Sequence, residues 1–261
     1  MREKKYDILL WDVDGTLLNF KESEKWALSE AFRAFGIAVD DEIISTYSVI
    51  NDSLWKKLEL GEVTKEQVLR GRFEKLFSEL LPGGELAHKE LDEAALRAIE
   101  VPKFQQTYQT NLGSVYYYME DSLSLCRKLK EEGFLQYIIT NGVEWTQRNK
   151  LHLAGFDKIM NALFISEVIG FHKPDVRFFE GCFSRMNAMP EFQVESPDLG
   201  RILVIGNSMS SDMKGAQNAG LDCCLYAPSG SAADKPDNVT YQIVSLWDVE
   251  ELLWQNQKDK N

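Results

Sequence analysis

The sequence is poor in what thiolate metal sites and disulfide frameworks need. Its four cysteines, at positions 126, 182, 223 and 224, never form a Cys-x-x-Cys pair, and 261 residues include only three histidines. Neither a zinc site nor a disulfide scaffold is expected from that usage. Cys223 and Cys224 lie adjacent in an apolar run and read as buried free thiols, which suits a reducing, cytoplasmic setting. Long apolar runs are also missing. None approaches the roughly 18 residues of a membrane span, and the N-terminus lacks the apolar stretch and small-residue cleavage site of a secretory signal. Positive charge is scarce: 29 Lys and Arg stand against 41 Asp and Glu, for a net charge of −12 and a pI near 4.8. A nucleic-acid polymer, which needs a basic face, is therefore not an expected partner, nor is a membrane. A small anion stays open, because one local cation can override the global field.

What is present is an ordinary globular composition, 44% hydrophobic and 27% charged, with enough chain for one large or two smaller domains. Residues 20 to about 110 read as helices: 21–35 ending at Gly36, 43–60, 64–81 and 85–99, with a break at Pro82-Gly83-Gly84. Thr64 followed by Gln67 has the spacing of a capping box. The rest alternates short apolar runs (6–11, 134–139, 163–166, 202–205, 221–226) with helical segments (120–132, 143–153, 175–186, 210–219, 246–254). Near-continuous apolar strands alternating with helices predict an α/β fold, a doubly wound parallel sheet covered on both faces. A helical insert interrupts it just after its first strand. Ligands of such sheets bind beyond the carboxyl ends of the strands.

Polar residues cluster at those ends. The first strand runs into Asp12-Val13-Asp14-Gly15-Thr16. Two carboxylates this close ask for a cation, and a hard divalent ion such as Mg²⁺ suits oxygen donors. One carboxylate can then be a nucleophile and the other a proton donor; the bland alternative is a polar turn with solvated acids. Thr140-Asn141-Gly142 ends the second strand as an oxyanion cradle or a simple cap. Lys173, in His172-Lys173-Pro174-Asp175, is either a phosphate-neutralising cation or a surface lysine, and His172 reads as a packing or surface residue. In Gly206-Asn207-Ser208-Met209-Ser210-Ser211-Asp212, Asn207 and Asp212 could converge on one cation, or Ser208 or Ser210 could simply cap a helix.

Taken in chain order, Asp12/Asp14, Thr140, Lys173 and Asn207/Asp212 resemble the four motifs of the haloacid dehalogenase (HAD) superfamily, and the insert resembles its type C1 cap. Stretches such as Asn51-Asp52-Ser53-Leu54-Trp55, Gly61-Glu62-Val63-Thr64 and Arg72-Phe73 are similar to the YjjG/YfnB-like branch of 5′-nucleotidases. The resemblance implies a Rossmann-like core over 1–18 plus 113–261 and a helical cap over 19–112, with hinges near 18–20 and 108–113. It implies a Mg²⁺-dependent phosphomonoesterase of small phosphorylated metabolites, pyrimidine nucleotides in particular, acting as a monomer or homodimer. Asp12 would be the nucleophile forming an aspartyl-phosphate, and Asp14 the acid and then the base. Thr140 and the amides of Asn141 and Gly142 would hold phosphoryl oxygens, and Lys173 would offset charge. Asp12, Asp14 (through its carbonyl), Asn207 and Asp212 would hold the metal, with Gly15 and Thr16 beside the substrate.

Asn207 departs from that pattern, which usually has Asp there, and predicts a more weakly held cation. Asp14 favours phosphate esters over dehalogenation. Asn51 and Trp55, four apart on one helix face, and Arg72 are the candidates for reading the substrate's base. Otherwise they form cap core and surface, with Arg72 pairing to Glu74 or Glu79. Phosphatases of a sugar phosphate or an acylneuraminate phosphate, and a non-catalytic binding protein, are the alternatives.

Overall fold

Short runs of large apolar residues, each cut by a polar residue or a glycine, have no solvent face to offer and become strands covered on both sides. The computed structural model describes residues 3–87, 91–189, 198–231 and 235–255. Among the described residues one sheet contains β1 (Ile8–Trp11), β2 (Leu135–Thr140), β3 (Ala162–Ile165), β4 (Ile202–Gly206), β5 (Asp222–Tyr226) and β6 (Tyr241–Ile243). The strands are all parallel, in the order β3-β2-β1-β4-β5-β6. Ile8 is level with Leu135 and Ile202, and Trp11 with Ile138 and Ile205. The chain winds from β1 outward through β2 and β3, then returns to β4 on the other side of β1. That reversal is the topological switch point at which doubly wound sheets bind ligands.

The chain divides into two compact units, Met1–Asn19 with Tyr118–Asn261, and Phe20–Tyr117. The second is all helix: α1 (Phe20–Ala34), α2 (Asp41–Glu59), α3 (Lys65–Leu80), α4 (Glu93–Ala98) and α5 (Val101–Ser114). Its core is aromatic. Phe32 meets Phe104 edge-on at 4.8 Å between ring centroids, and Tyr47 stacks on Phe73 at 5.5 Å. Asp40 caps α2, and Thr64 and Gln67 close the expected capping box on α3. The helix expected over 85–99 is shorter. The chain after Pro82-Gly83-Gly84 folds back, with Leu86 N–H on the Glu79 carbonyl, residues 88–90 lie outside the described residues, and α4 starts only after its cap Asp92. Segment 108–113 lies inside α5, whose first turn accepts Pro102 because no amide is needed there.

In the α/β unit, α6 (Ser122–Glu131), α7 (Glu144–Leu153), α8 (Ser166–Ile169), α9 (Val176–Asn187), α10 (Lys214–Asn218) and α11 (Val249–Leu252) accompany the strands. One face of the sheet buries Ile8, Leu10, Tyr137, Ile139 and Val204 against Phe178, Phe179 and Met213. Trp11 packs the strand as expected, its indole N–H donating to Gln136 Oε1 at 3.1 Å. All four cysteines are buried and unbridged. Three details differ from the sequence reading. β6 is an additional three-residue strand, and the helix expected over 246–254 is a tight turn followed by the short α11. The helix expected over 210–219 is a wide π-type turn, Met209–Met213, followed by α10. Ser208 caps that turn by accepting from Ser211 N–H at 3.1 Å. Among the described residues no helix is long and apolar enough to cross a membrane.

Candidate active site

β1 ends with its backbone still paired, Asp12 N–H donating to the Ile205 carbonyl at 2.9 Å. That pairing fixes where the Asp12 carboxylate leaves the sheet. The Asp12 side chain is 11% exposed. Lys173, from the loop after α8, donates to Asp12 Oδ1 at 2.7 Å, to Asp212 Oδ1 at 2.6 Å and to the Ile139 carbonyl at 2.9 Å. One buried ammonium thus uses all three protons to tie the ends of β1 and β2 to the turn after β4. Burial, followed by the nearby Asp212 carboxylate, pushes the Asp12 carboxyl up to about 7 against the pull of Lys173. Burial alone would lower Lys173, but the Asp12 and Asp212 carboxylates hold it above its ordinary value. The Lys173 loop is itself pinned by Asn141. The Asn141 side chain accepts from Lys173 N–H at 2.9 Å and donates to the Lys173 carbonyl at 2.9 Å. His172, half-buried beside it, sets its Nδ1 3.2 Å from that carbonyl.

Gly15 and Thr16 build the turn that follows Asp12. Gly15 adopts a φ of +86°, and a Cβ there would fall 2.5 Å from Asn207 Nδ2. Its N–H is taken by the Leu18 carbonyl. Thr16 is fully buried, and its hydroxyl lies 3.3 Å from both Asp12 Oδ2 and Asn207 Oδ1. Asn207 is exposed at the end of β4, whereas Asp212 is buried, with its second oxygen accepting from Ser208 N–H at 3.0 Å. Gly206 makes room for it, since a Cβ there would lie 2.3 Å from Asp212 Oδ2. Thr140 is buried at the end of β2, its hydroxyl oxygen accepting from Gly142 N–H at 3.1 Å.

Asp14 faces differently from Asp12. Its Oδ2 accepts from Gln147 Nε2 at 2.6 Å, and its Oδ1 meets the buried ammonium of Lys150. Both partners come from α7, three residues apart, and neither was singled out from the sequence. The available signal was a lysine and a glutamine on the same face as the buried Thr146 and Leu151.

The candidates Asn51, Trp55 and Arg72 all lie in the helical unit, and the structure does not bring them together as base-reading groups. Asn51 and Arg72 are buried, which corrects the surface reading of Asn51. Asn51 donates to Glu24 Oε1 at 2.8 Å and accepts from Arg72 Nη1 at 3.0 Å. Arg72 lies over the Phe73 and Tyr108 rings, 4.9 Å from each centroid. The partner of Glu74 is Arg70, not Arg72. Trp55 is half-buried on α2.

The strand-end donor set is all oxygen. Asp12, Asn207 and Asp212 supply carboxylate and amide oxygens around a backbone relieved of side chains at Gly15 and Gly206, which fits a hard divalent cation. Among the described residues no trio of His, Cys, Asp or Glu side chains forms a ready-made metal cage.

This arrangement is that of a Rossmann-like hydrolase core, and comparison with known proteins agrees. The haloacid dehalogenase-like hydrolase family model matches residues 6–220, and the chain belongs to that family. Among its relatives, the HAD-hydrolase YfnB of Bacillus subtilis is 32% identical over 251 residues, 96% of each chain. Pyrimidine 5′-nucleotidase PynA of Streptococcus pneumoniae is 30% identical over 255 residues, 98% of each chain. The crystal structure of YfnB bound to magnesium matches with a TM-score of 0.79 at 30% identity, covering 96% of this chain and 99% of that one.

Proposed function

We propose that this hydrolase cleaves phosphate monoesters, nucleoside 5′-monophosphates with a pyrimidine base foremost, through a phosphorylated Asp12. The observation that carries the reading is the buried Asp12 carboxylate at the switch point, paired with a Lys173 that it shares with Asp212, with another carboxylate, Asp14, held separately two residues on. The name of the relative PynA supports the substrate class.

In this reading Asp12 attacks phosphorus and Asp14 gives its proton to the departing alkoxide. Asp14, now a carboxylate, takes a proton from water, and the water oxygen attacks the phosphorus of the aspartyl-phosphate to release phosphate and Asp12. The Thr140 hydroxyl and the amides after it line the phosphoryl oxygens. Lys173 keeps the Asp12 carboxylate oriented and offsets the charge that accumulates on it. Dehalogenation, which needs no acid two residues after the nucleophile, would leave Asp14 without a task.

Asp12, the exposed Asn207 amide oxygen and the Asp14 main-chain carbonyl would hold Mg²⁺, with Asp212 adding its charge from within. The ion would supply charge neutralisation at the transferring phosphoryl group. The helical unit would act as the family's cap. Trp55 is the candidate left on it for contact with a base, while Asn51 and Arg72 brace its interior.

Phosphate release from a panel of nucleoside monophosphates and sugar phosphates, with Mg²⁺ and with EDTA, tests this. The expected result is metal-dependent release, greatest with a pyrimidine nucleotide and absent in Asp12→Asn. Preference for a sugar phosphate would move the substrate class. No release from any ester, an aryl phosphate included, would overturn the reading in favour of a binding protein.

A further inference from the structure

Asp14 is held by two side chains that the four motifs do not include. Gln147 Nε2 donates to its Oδ2 at 2.6 Å, and the Lys150 ammonium meets its Oδ1. Both donors are buried, Gln147 at 1% and Lys150 at 2% exposure, whereas the Asp14 side chain keeps 26%. A solvent-facing carboxylate is thus gripped from beneath, one donor on each oxygen, and its open edge is left toward solvent.

Two further observations argue that the grip is built for orientation. Gly142, the last residue of Thr140-Asn141-Gly142, is a glycine at the point where a Cβ would lie 2.0 Å from Gln147 Nε2. The cradle loop is therefore shaped around this glutamine. The Gln147 Oε1 atom is also buried without a hydrogen-bond partner. Turning the amide over would set Oε1 against the Asp14 carboxylate, so the orientation that serves Asp14 is kept even though it strands the other end of the amide. A buried lysine is a poor stabilising device when an apolar residue of similar volume could fill the site. Its presence under Asp14 calls for another reason.

We infer that Lys150 and Gln147 are positioning residues that aim the Asp14 carboxyl at the leaving oxygen. The inference rests on the acid–base role of Asp14 proposed above. Both donors come from one face of α7, so the helix that opens with the phosphate cradle also sets the direction of proton transfer. The cradle and the acid are thereby fixed relative to each other by one rigid element.

The leaving group distinguishes aiming from mere support. An alkoxide needs its proton delivered, whereas p-nitrophenolate leaves largely without help. The full chain with Mg²⁺ would be assayed on its best alkyl phosphate from the panel and on p-nitrophenyl phosphate. The proteins would be wild type, Asp14→Asn, Lys150→Met, Gln147→Leu and the Asp14→Asn/Lys150→Met pair. Lys150→Met and Gln147→Leu should each lower kcat/KM, which reports expulsion of the leaving group, by about ten- to a hundredfold on the alkyl ester, with a several-fold smaller loss on the aryl ester. Adding Lys150→Met to Asp14→Asn should cost nothing more, because the lysine acts through that carboxyl.

Equal losses on both esters, or full additivity in the pair, would overturn the inference while leaving the role of Asp14 intact. If Asp14→Asn itself loses kcat/KM equally on both esters, the acid role of Asp14 toward the leaving group fails first and the positioning role falls with it. Thermal melting identifies a variant that has lost its fold. Gln147→Leu, which removes no charge, then gives the decisive ratio.

Discussion

Each unit of this protein buries a charged network, and the two are built to opposite ends. In the helical unit Glu24 and Asp52 are balanced by Lys21 and Arg72 around the amide of Asn51. The network is enclosed on its inner side by Tyr47, Phe73 and Tyr108. At the strand ends Asp12, Asp14 and Asp212 face only Lys173 and Lys150, and the exposed Asn207 adds an oxygen but no charge. The first network balances two charges of each sign, with Lys21 and Asp52 at the surface and Arg72 Nη2 buried without a hydrogen-bond partner. The second is one positive charge short at the mouth of a sheet, where an incoming cation can supply it. A buried ion pair does little for stability by itself; the balanced network joins α1, α2 and α3, whereas the deficient one lies at the strand ends where the proposed chemistry would take place.

The sharpest way to break this contrast is to remove the nucleophile. Asp12→Asn should lower phosphate release by at least about a thousandfold while retaining the fold, read by product assay and by circular dichroism. Removing a cation from either network should then separate them by metal response. In metal-free protein Lys173→Met leaves Asp12 and Asp212 facing each other and should cost about 4 kcal/mol in urea unfolding. Arg72→Met strands Glu24 and Asn51 and should cost about 3 kcal/mol. Added Mg²⁺ should return part of the first loss and none of the second.

Deepening the deficit is the next test. Asn207→Asp places another carboxylate at the mouth and should tighten Mg²⁺ binding about tenfold by calorimetry, while lowering the melting temperature of the metal-free protein. The smallest effect is in pH. The Asp12 carboxyl is raised in the fold, so its contribution to metal-free stability is present below its unfolded value near 4 and lost as pH rises through about 7. The proton competes with the cation, so the Mg²⁺-induced rise in melting temperature should grow over that same interval. A Mg²⁺ effect that is flat from pH 5 to pH 8 would contradict the assignment of Asp12 to the cation.

Legibility in the sequence followed how local each feature is. The strand ends could be read because Asp12, Thr140 and Asn207 each interrupt an apolar run at a point the fold class makes meaningful. Thr64 with Gln67 could be read because a capping box is contained in four residues. β6 could not, since Tyr241-Gln242-Ile243 is too short to show a period. The clamp on Asp14 was hidden because Gln147 and Lys150 look like ordinary polar positions of an amphipathic helix, and only tertiary packing buries them. Asn51 and Arg72 misled for the converse reason. Their polarity suggested a ligand, but Asn51 is satisfied by Glu24 and Arg72, and Arg72 spends Nη1 on Asn51 and Nε on the Leu69 carbonyl while its Nη2 stays unpartnered. The contacts of Thr16 were not legible, because only the turn at Gly15 brings its hydroxyl onto Asp12 and Asn207.

The most direct test of the central claim is to trap the covalent intermediate. Wild-type protein with Mg²⁺ would be mixed with a nucleoside monophosphate carrying radiolabelled phosphate, quenched in acid within the first turnover, and digested for peptide mapping. The account predicts label on the peptide containing Asp12, lost on treatment with hydroxylamine and absent in Asp12→Asn. Product formation with no labelled protein at any quench time, or label on a peptide that lacks Asp12, would contradict it.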